Sequence, residues 1–123
     1  ERMGHWLDLA ERYFAPREAA ALRRLAAEQQ PARFLEYWTL KESYIKARGL
    51  GLAIPLADFS FDLPAGSPDD IAIRFTRAID DASSRWQFSL ERFGAGHLIA
   101  TAVERNASGS VCVTLHEAVG PLV

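Results

Sequence analysis

Two lysines and a glutamate interrupt a largely apolar stretch in the first half of the chain. The stretch is residues 38–46, with the sequence WTLKESYIK. In a helix, which turns about 100° per residue, Glu42 lies about 40° from Trp38, and Lys46 about 40° further round. Glu42 would then lie at the edge of an apolar stripe, where a carboxylate is costly to bury unless a cation meets it. A metal ion, or a polyphosphate with its metal, would meet that need.

A simpler interpretation of the same residues involves no ligand. Glu42 and Lys46 are spaced i,i+4, and such a pair on a solvated helix face contributes only about 0.2–0.5 kcal/mol. Helical geometry alone favours this interpretation. The same geometry predicts a stripe that faces the core, made of residues at spacings of three and four: Phe34, Trp38, Lys41 and Ile45.

We expect three helices in the first half of the chain to hold these residues in place. Apolar residues at helical spacing predict the first helix between Trp6 and Phe14. Pro16 opens the second helix, from a position where its missing N–H costs nothing. Pro31 likewise opens the third, which contains residues 38–46, and Gly49 is expected to end it as a left-handed cap.

The second half of the chain alternates apolar and polar residues as strands do. Three such segments begin near Phe59, Ile71 and Trp86. Residues 98–103 are apolar on both faces, which is typical of a central strand, and residues 111–115 are expected to add a last strand at the edge. Helices followed by antiparallel strands predict an α+β domain.

Composition narrows the class of protein. A chain of 123 residues, 49% hydrophobic, can bury one core, and it has no apolar run of the roughly 20 residues that a membrane helix needs. A net charge of −2 argues against a general nucleic-acid binder. Cys112 is the single cysteine, which excludes an internal disulfide. We therefore expect a cytoplasmic protein with neither a membrane nor a nucleic acid as partner.

Residues 38–46 fit the pattern W-x-x-K-E-x-x-x-K, and the segments around them extend the match. Residues 12–18 (RYFAPRE) form a basic-aromatic-aromatic element that ends in a glutamate. Residues 46–52 (KARGLGL) fit K-x-x-G-x-G-L, and a proline and a strand follow. In this order the segments resemble the phosphopantetheinyl transferases of the surfactin-synthetase-activating type, over about residues 5–104.

The resemblance implies transfer of phosphopantetheine from coenzyme A to a serine of an apo acyl or peptidyl carrier protein, with Mg²⁺. It implies that Glu42 is a metal ligand and that Glu42, or a metal-bound water, takes the serine proton. Lys46 would hold the phosphates and stabilise the departing adenosine bisphosphate. Lys41 would either contact phosphate as well or extend out of the core to solvent. Glu18 would position a lysine, assist proton transfer, or act only as a favourable acid in the first turn of a helix.

In that family two similar halves enclose the ligand, and each begins with a strand that carries a D-x-E metal-binding element. The chain resembles the second half, so we expect residues 1–123 to be a C-terminal half-domain of a pseudo-duplicated fold, without the opening strand. Glu1 matches the last acid of D-x-E and is a second candidate metal ligand. The expected partner is the missing N-terminal half or another copy of the chain. Two alternatives stay open: a stand-alone trimeric holo-acyl-carrier-protein synthase, and an inactive fragment that only binds carrier proteins.

Overall fold

The computed structural model describes residues 2–48, 54–63, 70–93, 97–105 and 111–119. Helices α1 (Arg2–Tyr13), α2 (Pro16–Arg23) and α3 (Gln30–Arg48) come first. Five strands follow: β1 (Phe59–Asp62), β2 (Ala72–Phe75), β3 (Trp86–Phe93), β4 (His97–Arg105) and β5 (Val111–Val119). The predicted order of three helices and then antiparallel strands is confirmed, and the chain is an α+β domain. In the described part of the chain, no helix has both the length and the apolar character needed to span a bilayer.

The strands form two antiparallel sheets. Strands β1 and β2 pair with each other, with Phe59 opposite Phe75. Strand β4 lies between β3 and β5, so the apolar segment 98–103 is central and the segment that begins at Val111 is at an edge, as predicted. The expected cap at Gly49 lies outside the described residues.

Helix α2 begins where the sequence predicts. Ala15 has an extended backbone (φ −65°, ψ 149°), and Pro16 occupies the first helical position, where no N–H is needed. The Glu18 side chain turns back and accepts a hydrogen bond from the Ala15 N–H at 3.1 Å, which satisfies one of the free donors at the start of the helix. This local closure fixes the Glu18 carboxylate on the inner side of α2.

Helix α3 is the central element of the domain, and aromatic rings surround its C-terminal half. The Tyr44 ring is fully buried and lies 5.0 Å from Phe59, 5.4 Å from Phe75 and 5.3 Å from Trp86, measured between ring centroids. Buried aromatic pairs at such distances contribute about 0.5–1.5 kcal/mol beyond their buried area. These contacts hold α3 against both sheets.

The predicted core stripe of α3 is wrong at Trp38. This residue is 39% exposed, whereas Tyr37, Leu40 and Tyr44 are buried. The inner arc of the helix is therefore centred on these three residues, because the strands that pack against α3, chiefly β4 and β5, lie on that side. Trp38 instead lies in an apolar groove of about 510 Å³ whose lining comes mainly from α1 and α3: Trp6, Leu9, Tyr13, Phe14, Phe34, Leu35, Trp38 and Leu56.

Candidate active site

Glu42 and Lys46 lie on the outer face of α3, near its C-terminal end. Lys46 Nζ is 3.7 Å from Glu42 Oε1, and the two side chains are 51% and 35% exposed, Lys46 first. This distance exceeds that of a hydrogen bond, and exposed pairs of this kind contribute about 0–1 kcal/mol. Among the described residues neither side chain has another polar partner. A carboxylate and an ammonium group are thus available to a ligand at little cost.

Lys41 and Glu18 form a second pair, and this one is buried. Both side chains are 0% exposed, and Lys41 Nζ lies 2.8 Å from Glu18 Oε1. The ammonium also donates to the carbonyl oxygens of Leu56 at 2.7 Å and Phe59 at 2.6 Å. An ammonium has three N–H donors, and these three acceptors use all of them. Lys41 therefore does not extend to solvent, because its acceptors lie inside the domain.

The Glu18 carboxylate is equally well satisfied. Besides Lys41 and the Ala15 N–H, it accepts a hydrogen bond from the Phe61 N–H at 2.8 Å, so it connects α2, α3 and β1. Burial raises the pKa of Glu18, and the Lys41 ammonium and the two N–H groups oppose that rise. Burial likewise lowers the pKa of Lys41, opposed by Glu18. Of the roles that the resemblance left open for Glu18, these contacts match that of positioning a lysine.

A third charged centre lies around Asp81, a residue that belongs to none of the motifs found in the sequence. Its carboxylate is 0% exposed and accepts hydrogen bonds from the Tyr44 hydroxyl at 2.6 Å and from Trp86 Nε1 at 2.9 Å. Arg48 and Arg85 pair with it at 3.0 and 2.8 Å. Burial alone would raise the pKa of Asp81, but the Tyr44, Ala82 N–H and Trp86 hydrogen bonds hold it below the usual value. Its only local sequence signals among the described residues are two i,i+4 spacings, that of Tyr44 and Arg48 and that of Asp81 and Arg85.

Few of the described residues near Lys46 could supply oxygen ligands to a divalent metal ion. Glu42 supplies an accessible carboxylate, the hard oxygen donor that Mg²⁺ prefers. Glu1, the other candidate ligand, lies outside the described residues. Within the part of the chain that the structure describes, no three His, Cys, Asp or Glu side chains lie close enough to hold a metal. Because Mg²⁺ is often bound through one or two carboxylates plus substrate phosphates, a single carboxylate at this position fits the ion.

Known proteins that resemble this chain in sequence are phosphopantetheinyl transferases. A family model described as the 4'-phosphopantetheinyl transferase superfamily matches residues 1–102. The 4'-phosphopantetheinyl transferase HetI of Nostoc sp. is 53% identical over 45 residues, which are 37% of this chain and 19% of that protein. The 4'-phosphopantetheinyl transferase Sfp of Bacillus subtilis is 39% identical over 57 residues, which are 46% of this chain and 25% of Sfp.

A longer match covers most of the chain. The L-aminoadipate-semialdehyde dehydrogenase-phosphopantetheinyl transferase of Rattus norvegicus is 31% identical over 101 residues, which are 79% of this chain and 33% of that protein. The matched segments thus span a third or less of the length of these relatives. No solved structure gives a significant match.

Proposed function

The chain belongs to the 4'-phosphopantetheinyl transferase superfamily, and from this premise we propose that it carries part of the site that transfers phosphopantetheine from coenzyme A to a carrier-protein serine. The observation that supports this most is the position of Glu42 and Lys46. They are the accessible acid and base of the W-x-x-K-E-x-x-x-K segment, and they lie on a helix that is fixed from its inner side.

The reaction needs a nucleophile, charge neutralisation and a leaving group. The serine hydroxyl oxygen forms a bond to the phosphorus that carries pantetheine, and the bond from that phosphorus to the bridging oxygen breaks. The electron pair leaves with adenosine 3',5'-bisphosphate. Mg²⁺, when bound, would neutralise charge on the pyrophosphate. The chain's own residues bind the phosphates, hold the ion and take up the serine proton.

Glu42 is proposed to hold the metal ion and to accept the serine proton, directly or through a water molecule. Its carboxylate is exposed enough for both, and its contact with Lys46 is weak. Lys46 is proposed to bind the bridging or α-phosphate, where its charge stabilises the negative charge that develops on the leaving group. Rotation of either side chain away from the other costs little, since exposed pairs contribute so little.

Lys41 and Glu18 are proposed to support the helix and not to contact the substrate. Because the Lys41 side chain is fully buried and all three of its N–H donors have acceptors, we assign coenzyme A binding to Lys46 and assign Lys41 to the support of α3. Glu18 acts through Lys41 and is a positioning residue. A direct contact of Lys41 with phosphate would require it to leave Glu18 uncompensated in the core, which is costly.

The rest of the site is proposed to come from outside this chain or from parts not described. Residues 1–123 would be the C-terminal half-domain, completed by an N-terminal half or by another copy of the chain, with Glu1 as a second metal ligand. The carrier protein would be an apo acyl or peptidyl carrier protein. A cytoplasmic location is proposed on the strength of the single cysteine, which excludes an internal disulfide.

The proposal is tested with the full-length protein, coenzyme A, Mg²⁺ and an apo carrier protein. Transfer is followed as the mass that one phosphopantetheine group adds to the carrier. Glu42→Gln keeps the shape of the side chain but removes its charge, and we expect turnover to fall by more than about tenfold, which corresponds to about 1.4 kcal/mol. Glu36→Gln is the matched control, because Glu36 is also an ion-paired acid on α3.

A decrease of less than tenfold for Glu42→Gln would identify Glu42 and Lys46 as an ordinary surface pair. The same assay on residues 1–123 alone separates the two ways of completing the site. Inactivity of this segment, restored by an N-terminal half, supports the two-half arrangement. Transfer by the segment alone supports a site shared between copies.

A further inference from the structure

The Asp81 carboxylate joins the last turn of α3 to the loop between β2 and β3. Tyr44 and Arg48 approach it from α3, Arg85 from the turn before β3, and Trp86 from the first residue of β3. The N–H of the following residue adds a bond at 2.8 Å. Arg48 also donates to the Tyr44 hydroxyl at 2.7 Å, so the two α3 residues are tied to each other as well.

These contacts are on the opposite side of the helix from the proposed site. Lys46 lies two residues from Tyr44 and two from Arg48. A helix turns about 200° over two residues, so the Lys46 side chain points about 160° away from each of these two side chains. The exposed fractions agree with this geometry, since the Tyr44 residue is 0% exposed and the Lys46 side chain 51%. Asp81 thus fixes the inner side of the same turn that presents Lys46 outward.

The last turn of a helix needs such support more than its middle does. Its final carbonyl groups have no partner within the helix, so helix ends fray. The structure describes α3 as far as Arg48, and Lys46 lies in the last described turn. A fully satisfied buried polar network has a fixed geometry and restricts the elements that contribute to it.

We propose that Asp81 is a positioning residue, which holds the last turn of α3 and thereby the location of Lys46. It touches neither substrate nor metal. The proposal rests on the proposed function for the part played by Lys46, whereas the part played by Asp81 in holding the turn is independent of any activity. A displacement of about 1 Å in a positioned group can cost up to about 100-fold in rate, so the network is expected to matter for transfer.

The first experiment measures the helix directly, by hydrogen exchange of backbone amides in the full-length protein. With Asp81→Asn, exchange of residues 44–48 should rise well above wild type, while that of residues 34–40 stays unchanged. Asp62→Asn is the matched control, because this acid also pairs with two arginines but lies on β1 and is partly exposed. Wild-type exchange of residues 44–48 in Asp81→Asn would overturn the proposal.

The second experiment is a double-mutant cycle on phosphopantetheine transfer. Alone, Asp81→Asn should reduce kcat/KM for coenzyme A at least about tenfold, with KM for the carrier protein unchanged. In the Lys46→Ala background the same change should cost far less, because residues that act as a unit are not additive. An equal loss in both backgrounds would indicate general destabilisation and would overturn the proposal.

The two experiments separate the failure of this inference from that of the proposed function. If Lys46→Ala leaves transfer unchanged, the role of Lys46 is refuted, and hydrogen exchange alone decides whether Asp81 holds the turn. If Asp81→Asn does not fold, Tyr44→Phe replaces it in both experiments. That change keeps the ring among Phe59, Phe75 and Trp86 and removes only the hydroxyl. It should give the same pattern, and wild-type behaviour would overturn the proposal.

Discussion

Two glutamate–lysine pairs involve the adjacent residues Lys41 and Glu42 of one helix, yet one pair is buried and the other is partly exposed to solvent. Lys41 and Glu18 are both inaccessible to solvent and 2.8 Å apart, and every N–H of the ammonium has an acceptor. Glu42 and Lys46 are partly exposed and 3.7 Å apart. One step along a helix turns the side chain by about 100°, which is enough to move it from the core to the surface.

The burial of each pair determines which role it can perform. A buried pair is costly to break, because the remaining charge has no partner, and such a loss amounts to about 3–5 kcal/mol. An exposed pair contributes at most about 1 kcal/mol and separates easily. The buried pair is therefore suited to hold α2, α3 and β1 together, and the exposed pair to exchange its contact for a ligand.

The largest expected effect is on stability. Glu18→Ala removes the partner of Lys41 and the acceptor of the Phe61 and Ala15 N–H groups. We expect the free energy of unfolding to fall by about 3–5 kcal/mol, measured by urea denaturation. In the control, Glu42→Ala should change it by no more than about 1 kcal/mol. Equal effects of the two changes would remove the distinction between the pairs.

A double replacement tests whether the unpaired charge of Lys41 causes this loss of stability. Changing Glu18 to leucine and Lys41 to methionine together removes both charges, so no unpaired charge remains in the core. We expect the double variant to be more stable than Glu18→Ala. It should remain below wild type, because the Phe61 N–H still loses its acceptor. A double variant no more stable than Glu18→Ala would show that charge compensation is not what Glu18 provides.

The second prediction concerns activity and separates the two lysines. Lys46→Ala should lower kcat/KM for coenzyme A at least about tenfold, or about 1.4 kcal/mol, and leave the melting temperature nearly unchanged. Lys41→Met should lower the melting temperature strongly and reduce transfer only as far as the folded fraction falls. Steady-state kinetics and thermal denaturation of the full-length protein measure both. Weaker coenzyme A binding by a fully stable Lys41→Met would assign phosphate binding to Lys41.

The smallest expected effect is a titration that reports the charge of the buried pair. Burial, followed by the nearby Glu18 carboxylate, raises the pKa of Tyr37 to about 12. We expect Glu18→Gln to bring this pKa closer to its ordinary value, as measured by ultraviolet difference spectroscopy against Tyr37→Phe. Glu42→Gln is the control and should leave the Tyr37 titration as it is. No change with Glu18→Gln would mean that Glu18 carries no negative charge in the folded protein.

The raised pKa of Tyr37 also fixes the sign of a stability change at high pH. The folded state binds the phenolic proton more tightly than the unfolded state, whose pKa is near the ordinary 10.0. Stability therefore falls as the pH rises from about 10 to about 12, and Tyr37→Phe should show a smaller decrease. Urea denaturation at several pH values within this window measures the difference.

Much of the architecture could be predicted because its signals are local. Pro16 fixes the start of α2 through its missing N–H and its restricted backbone. The largely apolar segment 98–103 indicated a central strand, and β4 is the central strand of its sheet. The pair of Glu42 and Lys46 followed from i,i+4 spacing, which is a property of any helix.

The sequence alone predicts the order of the elements and the angles between side chains on α3, since both follow from local backbone geometry. It did not determine which arc of α3 is covered, and the prediction for Trp38 failed for this reason. Only the tertiary structure placed Lys41 against Glu18 and Tyr44 against Asp81, which is 37 residues further along the chain. Partners so distant in sequence leave no periodic signal, because packing between elements, and not helix geometry, brings them together.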